Sequence, residues 1–127
     1  MNASPRTIVE EMFAAFGSGD ADRFVATVTD DTTWIYHGTQ VIPKGTFTGK
    51  DGVSTFFRNI HDRTEILSFE PRQFIVEGNV VVVLGREHQR VKRSGRELKQ
   101  QWVQIYTIEH NLIARMEEFA TSEDVAQ

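Results

Sequence analysis

The stretch Val80-Val-Val-Val-Leu-Gly-Arg-Glu-His-Gln-Arg-Val91 starts as an unbroken apolar run and ends, within one strand's length, in a run of charge. Strand geometry sends Val80, Val82, Leu84, Arg86, His88 and Arg90 to one side and Val81, Val83, Gly85, Glu87 and Gln89 to the other. Either the strand leaves the core at its charged end, or the core contains a polar pocket.

The stretch is the second of four strand-like segments, at about 64–77, 79–91, 97–109 and 112–121. Glu77-Gly78-Asn79, Arg93-Ser94-Gly95 and Glu109-His110-Asn111 supply turns between them, so neighbours are expected to pair as antiparallel hairpins. Upstream the period is helical. Ser4-Pro5 reads as a cap and first turn, followed by Ile8, Val9, Met12, Phe13 and Phe16 at helical spacing, with Gly17 as the stop. Asp20 caps a short helix with Phe24, Val25 and Val28 inward, and Thr32–His37 reads as a strand with Trp34 and Tyr36 on one side. After a glycine-rich loop, Val53, Phe56, Phe57 and Ile60 form the inward stripe of a third helix. Three helices followed by a long meander make an α+β plan in which the helices cover one sheet face.

A chain of 127 residues with 39% hydrophobic content and nine phenylalanines supports one core and one domain spanning 1–127. Acidic residues outnumber basic ones 18 to 14, and no basic stripe runs along a predicted helix, which argues against nucleic acid as a partner. The group Arg90, Lys92, Arg93, Arg96 and Lys99 straddles a hairpin turn and reads as a solvated tip. Cysteine is absent, which excludes disulfides, a thiol nucleophile and thiolate metal ligation and fits a cytoplasmic protein. No stretch approaches the roughly 18 continuous apolar residues of a membrane span, so no membrane association is expected.

Three signatures stand in order: Gly17-Ser-Gly-Asp20 followed by Asp30-Asp31-Thr-Thr-Trp34; Gly45-Thr-Phe-Thr-Gly-Lys-Asp-Gly52 leading into Phe56-Phe57; and Trp102-Val-Gln-Ile-Tyr106 leading to Ile113-Ala-Arg-Met-Glu-Glu-Phe119. Together they resemble the nuclear transport factor 2 and ketosteroid isomerase superfamily, and more narrowly its SnoaL-like polyketide cyclase group. The resemblance implies a cone-shaped, curved antiparallel sheet wrapped around three N-terminal helices and enclosing an apolar cavity, with the outer sheet face making a homodimer. Fold membership leaves the reaction open.

Carried over position by position, the isomerase's basic aspartate falls at Tyr36, its tyrosine at Met12 and its proton-donating aspartate near Val103. The ketosteroid isomerase mechanism, which is a standard illustration of pKa tuning, is therefore not expected here. The arginine and two aspartates of limonene epoxide hydrolase fall at Arg86, His88 and Glu118. The cyclases use a cavity acid with a nearby histidine, which Glu118 and His88 resemble more closely.

The expected catalytic set is thus Glu118, His88, Arg86 and Tyr36. Glu118 or His88 would act as general base, with Arg86 and Tyr36 stabilising an oxyanion. Trp34, Met12, Phe13, Phe16, Phe56, Phe57, Val103, Ile105 and Met116 are expected to line the pocket. A structural Arg86–Glu118 ion pair is the bland alternative. The histidines lack metal-ligand spacing and the Gly45–Gly52 loop lacks a Gly-Lys-Ser/Thr ending, so no metal and no cofactor are expected. The leading expectation is cofactor-free acid–base chemistry (cyclase, isomerase or hydrolase) on a small hydrophobic molecule. A non-catalytic ligand-binding or dimerisation module comes second and an epoxide hydrolase third. Gln100, Trp102, Gln104 and Tyr106, opposite Val103 and Ile105, are expected to form the exposed strip of a homodimer.

Overall fold

A computed structural model describes residues 4–38 and 41–124. Its elements are α1 (Pro5–Ser18), α2 (Ala21–Val25), β1 (Val28–His37), β2 (Gly45–Thr48), α3 (Gly49–Arg63), β3 (Thr64–Glu77), β4 (Val80–Val91), β5 (Glu97–Glu109) and β6 (Leu112–Asp124). The six strands form one curved, unclosed sheet in the order β2-β1-β6-β5-β4-β3. Every neighbouring pair is antiparallel except β1 and β6, which run parallel. The helices pack on the inner face, as an α+β plan requires.

Local chemistry explains most boundaries. Ser4 Oγ accepts from the Thr7 N–H at 3.2 Å, and Pro5 occupies the first turn, where its missing N–H is no loss. α1 runs through Gly17 and stops at Gly19, where φ is 71° and the backbone N–H reaches the Phe16 carbonyl. The stop is therefore two residues later than expected, because the left-handed cap conformation falls on the second glycine of the pair. Asp20 Oδ1 accepts from the Arg23 N–H at 3.0 Å and opens α2. In the Gly45–Gly52 signature, Lys50 Nζ donates to the Val25 and Val28 carbonyls at 3.1 and 2.9 Å, tying α3 to the end of α2 and the start of β1.

The phase of the long strands corrects two expectations. On β4 the valines at 81 and 83 are fully buried and Glu87 and Gln89 face inward with them, while Arg86 and His88 stand on the outer face. On β5 the buried side is Leu98, Gln100, Trp102, Gln104, Tyr106 and Ile108, so the strip expected to be exposed is core, and Val103 and Ile105 point outward. Volume explains the choice. Gly85 pairs with Trp102, and a Cβ there would lie 2.4 Å from the indole Cζ2, so the missing side chain admits the Trp102 ring, on which Phe69 stacks at 5.1 Å. Four consecutive valines satisfy either phase, and the large side chain across the ladder selects one.

Candidate active site

Between the helices and the inner sheet face lies a cavity. Met12, Phe13 and Phe16 of α1, Phe24 of α2, and Phe56 and Ile60 of α3 form its apolar roof; Trp34 and Tyr36 of β1, Ile42 and Phe69 line its sides. Its floor is polar: Glu87 and Gln89 from β4, Gln100, Gln104 and Tyr106 from β5, Glu118 from β6. The centre of a water molecule can visit about 30 Å³ of this space, room for a ligand of a few heavy atoms as the side chains stand.

The floor is wired as two arms, each ending on a carboxylate. In the first, the Tyr106 hydroxyl donates to Gln104 Oε1 at 2.6 Å and Gln104 Nε2 donates to Glu118 Oε1 at 2.9 Å. In the second, Gln100 Nε2 donates to Gln89 Oε1 at 2.6 Å and Gln89 Nε2 donates to Glu87 Oε2 at 3.3 Å. Each arm follows from the period of two: Gln104 and Tyr106 are inward neighbours on β5, Glu87 and Gln89 on β4.

No lysine, arginine or histidine is among the described residues lining the cavity. Burial without a cationic partner disfavours the charged form of both acids. It pushes Glu118 up to about 7, the Gln104 hydrogen bond opposing the rise. Burial, with the Glu118 charge adding to it, pushes Glu87 up to about 8. The Tyr106 phenol is raised for the same two reasons and stays protonated. Two buried polar atoms of the lining have no hydrogen-bond partner among the described residues: the Gln100 Oε1 acceptor and the Trp34 Nε1 donor.

Of the expected residues, the fold brings together Glu118, Tyr36, Trp34, Met12, Phe13, Phe16, Phe56 and Met116 at this cavity. Phe57 is buried one layer away, packed on Phe24 at 4.9 Å between ring centres, and Val103 and Ile105 lie on the other sheet face. Arg86 bonds Glu70 at 2.8 Å, and His88 Nε2 lies 2.7 Å from Glu97 Oε1. Both line an outer hollow with Ser68, Lys99 and Thr121. Neither pairs with Glu118, so the Arg86–Glu118 ion pair and the epoxide hydrolase arrangement are not formed. Glu87, Gln89, Gln100, Gln104 and Tyr106 escaped sequence reasoning. Their signal was present in the alternation Gln100, Trp102, Gln104, Tyr106, where the two aromatics already mark the buried side.

Helices packed over a pocket on one face of a curved, unclosed sheet define the class: a cone-shaped α+β fold. The chain belongs to the SnoaL-like domain family, whose model matches residues 9–116. Among solved structures it is similar to an NTF2-like protein from Burkholderia xenovorans, at 29% identity over 92% of this chain and 88% of that one, with a TM-score of 0.82. It is also similar to an NTF2-like protein of unknown function from Burkholderia pseudomallei, at 24% identity over 92% and 90% of the chains and a TM-score of 0.80. A hypothetical protein with a ketosteroid isomerase-like fold from Catenulispora acidiphila, in complex with trimethylamine, shares the fold at 14% identity, over 88% and 83% of the chains and with a TM-score of 0.77. Among curated proteins none matches.

Proposed function

We propose that this SnoaL-like protein is a small-molecule enzyme that moves a proton without a cofactor, with Glu118 as the base. One observation carries the reading: a carboxylate at the floor of an aromatic cavity, held by Gln104 and by no cation, whose proton affinity lies near neutrality. A base is most effective when its pKa lies near the working pH, because it is then both available and strong. The Tyr106–Gln104 arm orients the carboxylate, and the unpartnered Trp34 N–H supplies a donor where negative charge can develop on a substrate oxygen. That pairing suits abstraction of a proton from carbon next to a carbonyl in a small, hydrophobic substrate.

The test is exchange of the α-protons of a small ketone, cyclopentanone, in heavy water, followed by NMR. The folded protein is expected to accelerate exchange, and Glu118→Gln to reduce the acceleration by a factor of about 10² or more. Equal exchange by the two proteins would remove Glu118 as base.

The narrowness of the cavity, about 30 Å³, favours a second reading, a ligand-binding module without turnover. In that case the ketone binds and no exchange is seen.

In either reading the partner is a second copy of the chain seated on the outer sheet face. Phe119 and Ile75, each 47% exposed, stand there with Val82, Leu84, Val103 and Ile105. Charges of both signs, Arg115 and Glu117 among them, flank this apolar area, so a two-fold related copy can pair unlike charges.

A further inference from the structure

We infer that the Glu87 end of the cavity is a subsite for the ammonium group of a small amine, because the buried Glu87 carboxyl and the unpartnered Gln100 Oε1 converge there with no basic side chain among the described lining residues. The inference rests on the proposed function only in taking this cavity as the site, and it narrows the substrate to a small carbonyl compound that carries an amino group.

The hydrogen-bond directions set the polarity of this end. Gln89 turns its amide N–H toward Glu87, which leaves its carbonyl to accept from the Gln100 amide, which in turn leaves Gln100 Oε1 with nothing to accept from. Gln100 is 3% exposed, so water does not easily make up the loss. A buried acceptor without a donor is destabilising, and a ligand with several N–H groups relieves it. An ammonium brings three donors and a positive charge at one atom.

The surroundings suit a cation. Glu87 lies opposite Gln100 on β5 and Phe69 on β3, and the Phe16 and Phe69 rings sit 5.2 Å apart in the same lining. Aromatic faces attract a desolvated cation. The titratable groups lining the cavity with Glu87 are Glu118, Tyr36 and Tyr106, and the three helices present only apolar side chains to it. Glu87 and Gln100 also border the outer hollow, where Lys99 stands with Arg86, paired to Glu70, and His88, paired to Glu97. In the empty protein Glu87 holds its proton near neutrality, since burial pushes it to about 8. An arriving ammonium reverses that preference, so the amine binds as the cation and Glu87 gives its proton to solvent. Glu118 remains the base, and the two carboxyls, alike in type, divide the work of holding and reacting.

The experiment is calorimetric titration of the protein with tert-butylammonium chloride and with tert-butanol, ligands of nearly equal shape that differ in charge. Each titration is run near neutral pH in two buffers of different ionisation enthalpy. The ammonium is expected to bind at least about tenfold more tightly, with protons released to the buffer. Glu87→Gln is expected to bring the two affinities to within about twofold and to abolish the proton release. Gln100→Met is expected to weaken the ammonium selectively, and it carries the test should Glu87→Gln not fold. Equal affinities, tighter binding of the alcohol, no binding of either ligand at millimolar concentration, or a preference that survives both substitutions would overturn the subsite. Ketone exchange without amine preference retires the subsite and keeps the base. Amine preference without exchange does the reverse.

Discussion

Gln104 donates an N–H to Glu118 across the β5–β6 ladder at 2.9 Å, and that bond is the one influence on Glu118 that opposes burial. Removing it tests whether the carboxylate is set by its neighbours. Gln104→Leu is expected to raise the Glu118 pKa further, since a donor to the charged form has been lost. The acidic limb of the pH profile for ketone exchange then moves to higher pH. An unmoved limb in a folded variant means that another group limits the rate.

Stability should fall as pH rises. Glu87 and Glu118 have folded-state pKa values of about 8 and about 7, both above the ordinary 4.5. Between 4.5 and 8 the folded chain therefore holds protons that the unfolded chain has released. Their contribution is complete below the unfolded value and is lost as pH climbs through the folded ones. Each group acts with a limiting slope of about 1.4 kcal/mol per pH unit. His61, lowered from 6.5 mainly by burial, works in the opposite sense at lower pH. Glu70 and Glu117, held below 4.5 by hydrogen bonds from Arg86 and His37, act only below that value. Thermal melts from about pH 7 to about pH 9 isolate the buried pair. Over that range Glu87→Gln is expected to flatten the decline, and a wild-type Tm that does not fall removes the unpaired-acid picture.

Gly85 and Gly17 should respond oppositely to alanine. At Gly85 a Cβ would lie 2.4 Å from Trp102 Cζ2 and 2.7 Å from the Glu70 carbonyl oxygen, and the backbone atom has little freedom to yield. Overpacking of this kind costs about 1–3 kcal/mol. At Gly17, inside α1, a Cβ meets nothing within 4 Å, and alanine is expected to stabilise by up to about 1 kcal/mol through helix propensity. Urea denaturation of the two variants decides, and equal effects would mean that Trp102 does not depend on the space at Gly85.

The outer face should control association. Val103→Lys places a charge beside Phe119, in an outer hollow also lined by Leu84, without touching the cavity. Sedimentation is expected to show a dimer for the parent protein and a folded monomer for the variant. A parent protein that sediments as a monomer at micromolar concentration would place the partner elsewhere.

The order of elements, the three hairpin turns and the aromatic content of the cavity were legible without coordinates, because helix and strand periods and turn residues are local properties. Glu118 was legible from the resemblance, and by alternation it stands on the side of the buried Met116, opposite Arg115 and Glu117. On β4 the valines from 80 to 83 offer no contrast between faces, and a strand slipped by one residue exchanges its two faces completely. Arg86 and His88 were therefore assigned to the cavity when Glu87 and Gln89 occupy it. On β5 the glutamines suggested an exposed side, although Trp102 and Tyr106 between them needed burial. Tertiary structure decided both phases together, through the indole of Trp102 filling the space that Gly85 leaves across the ladder. That choice turned Glu87 and three glutamines inward beside Glu118, and so determined the chemistry of the pocket.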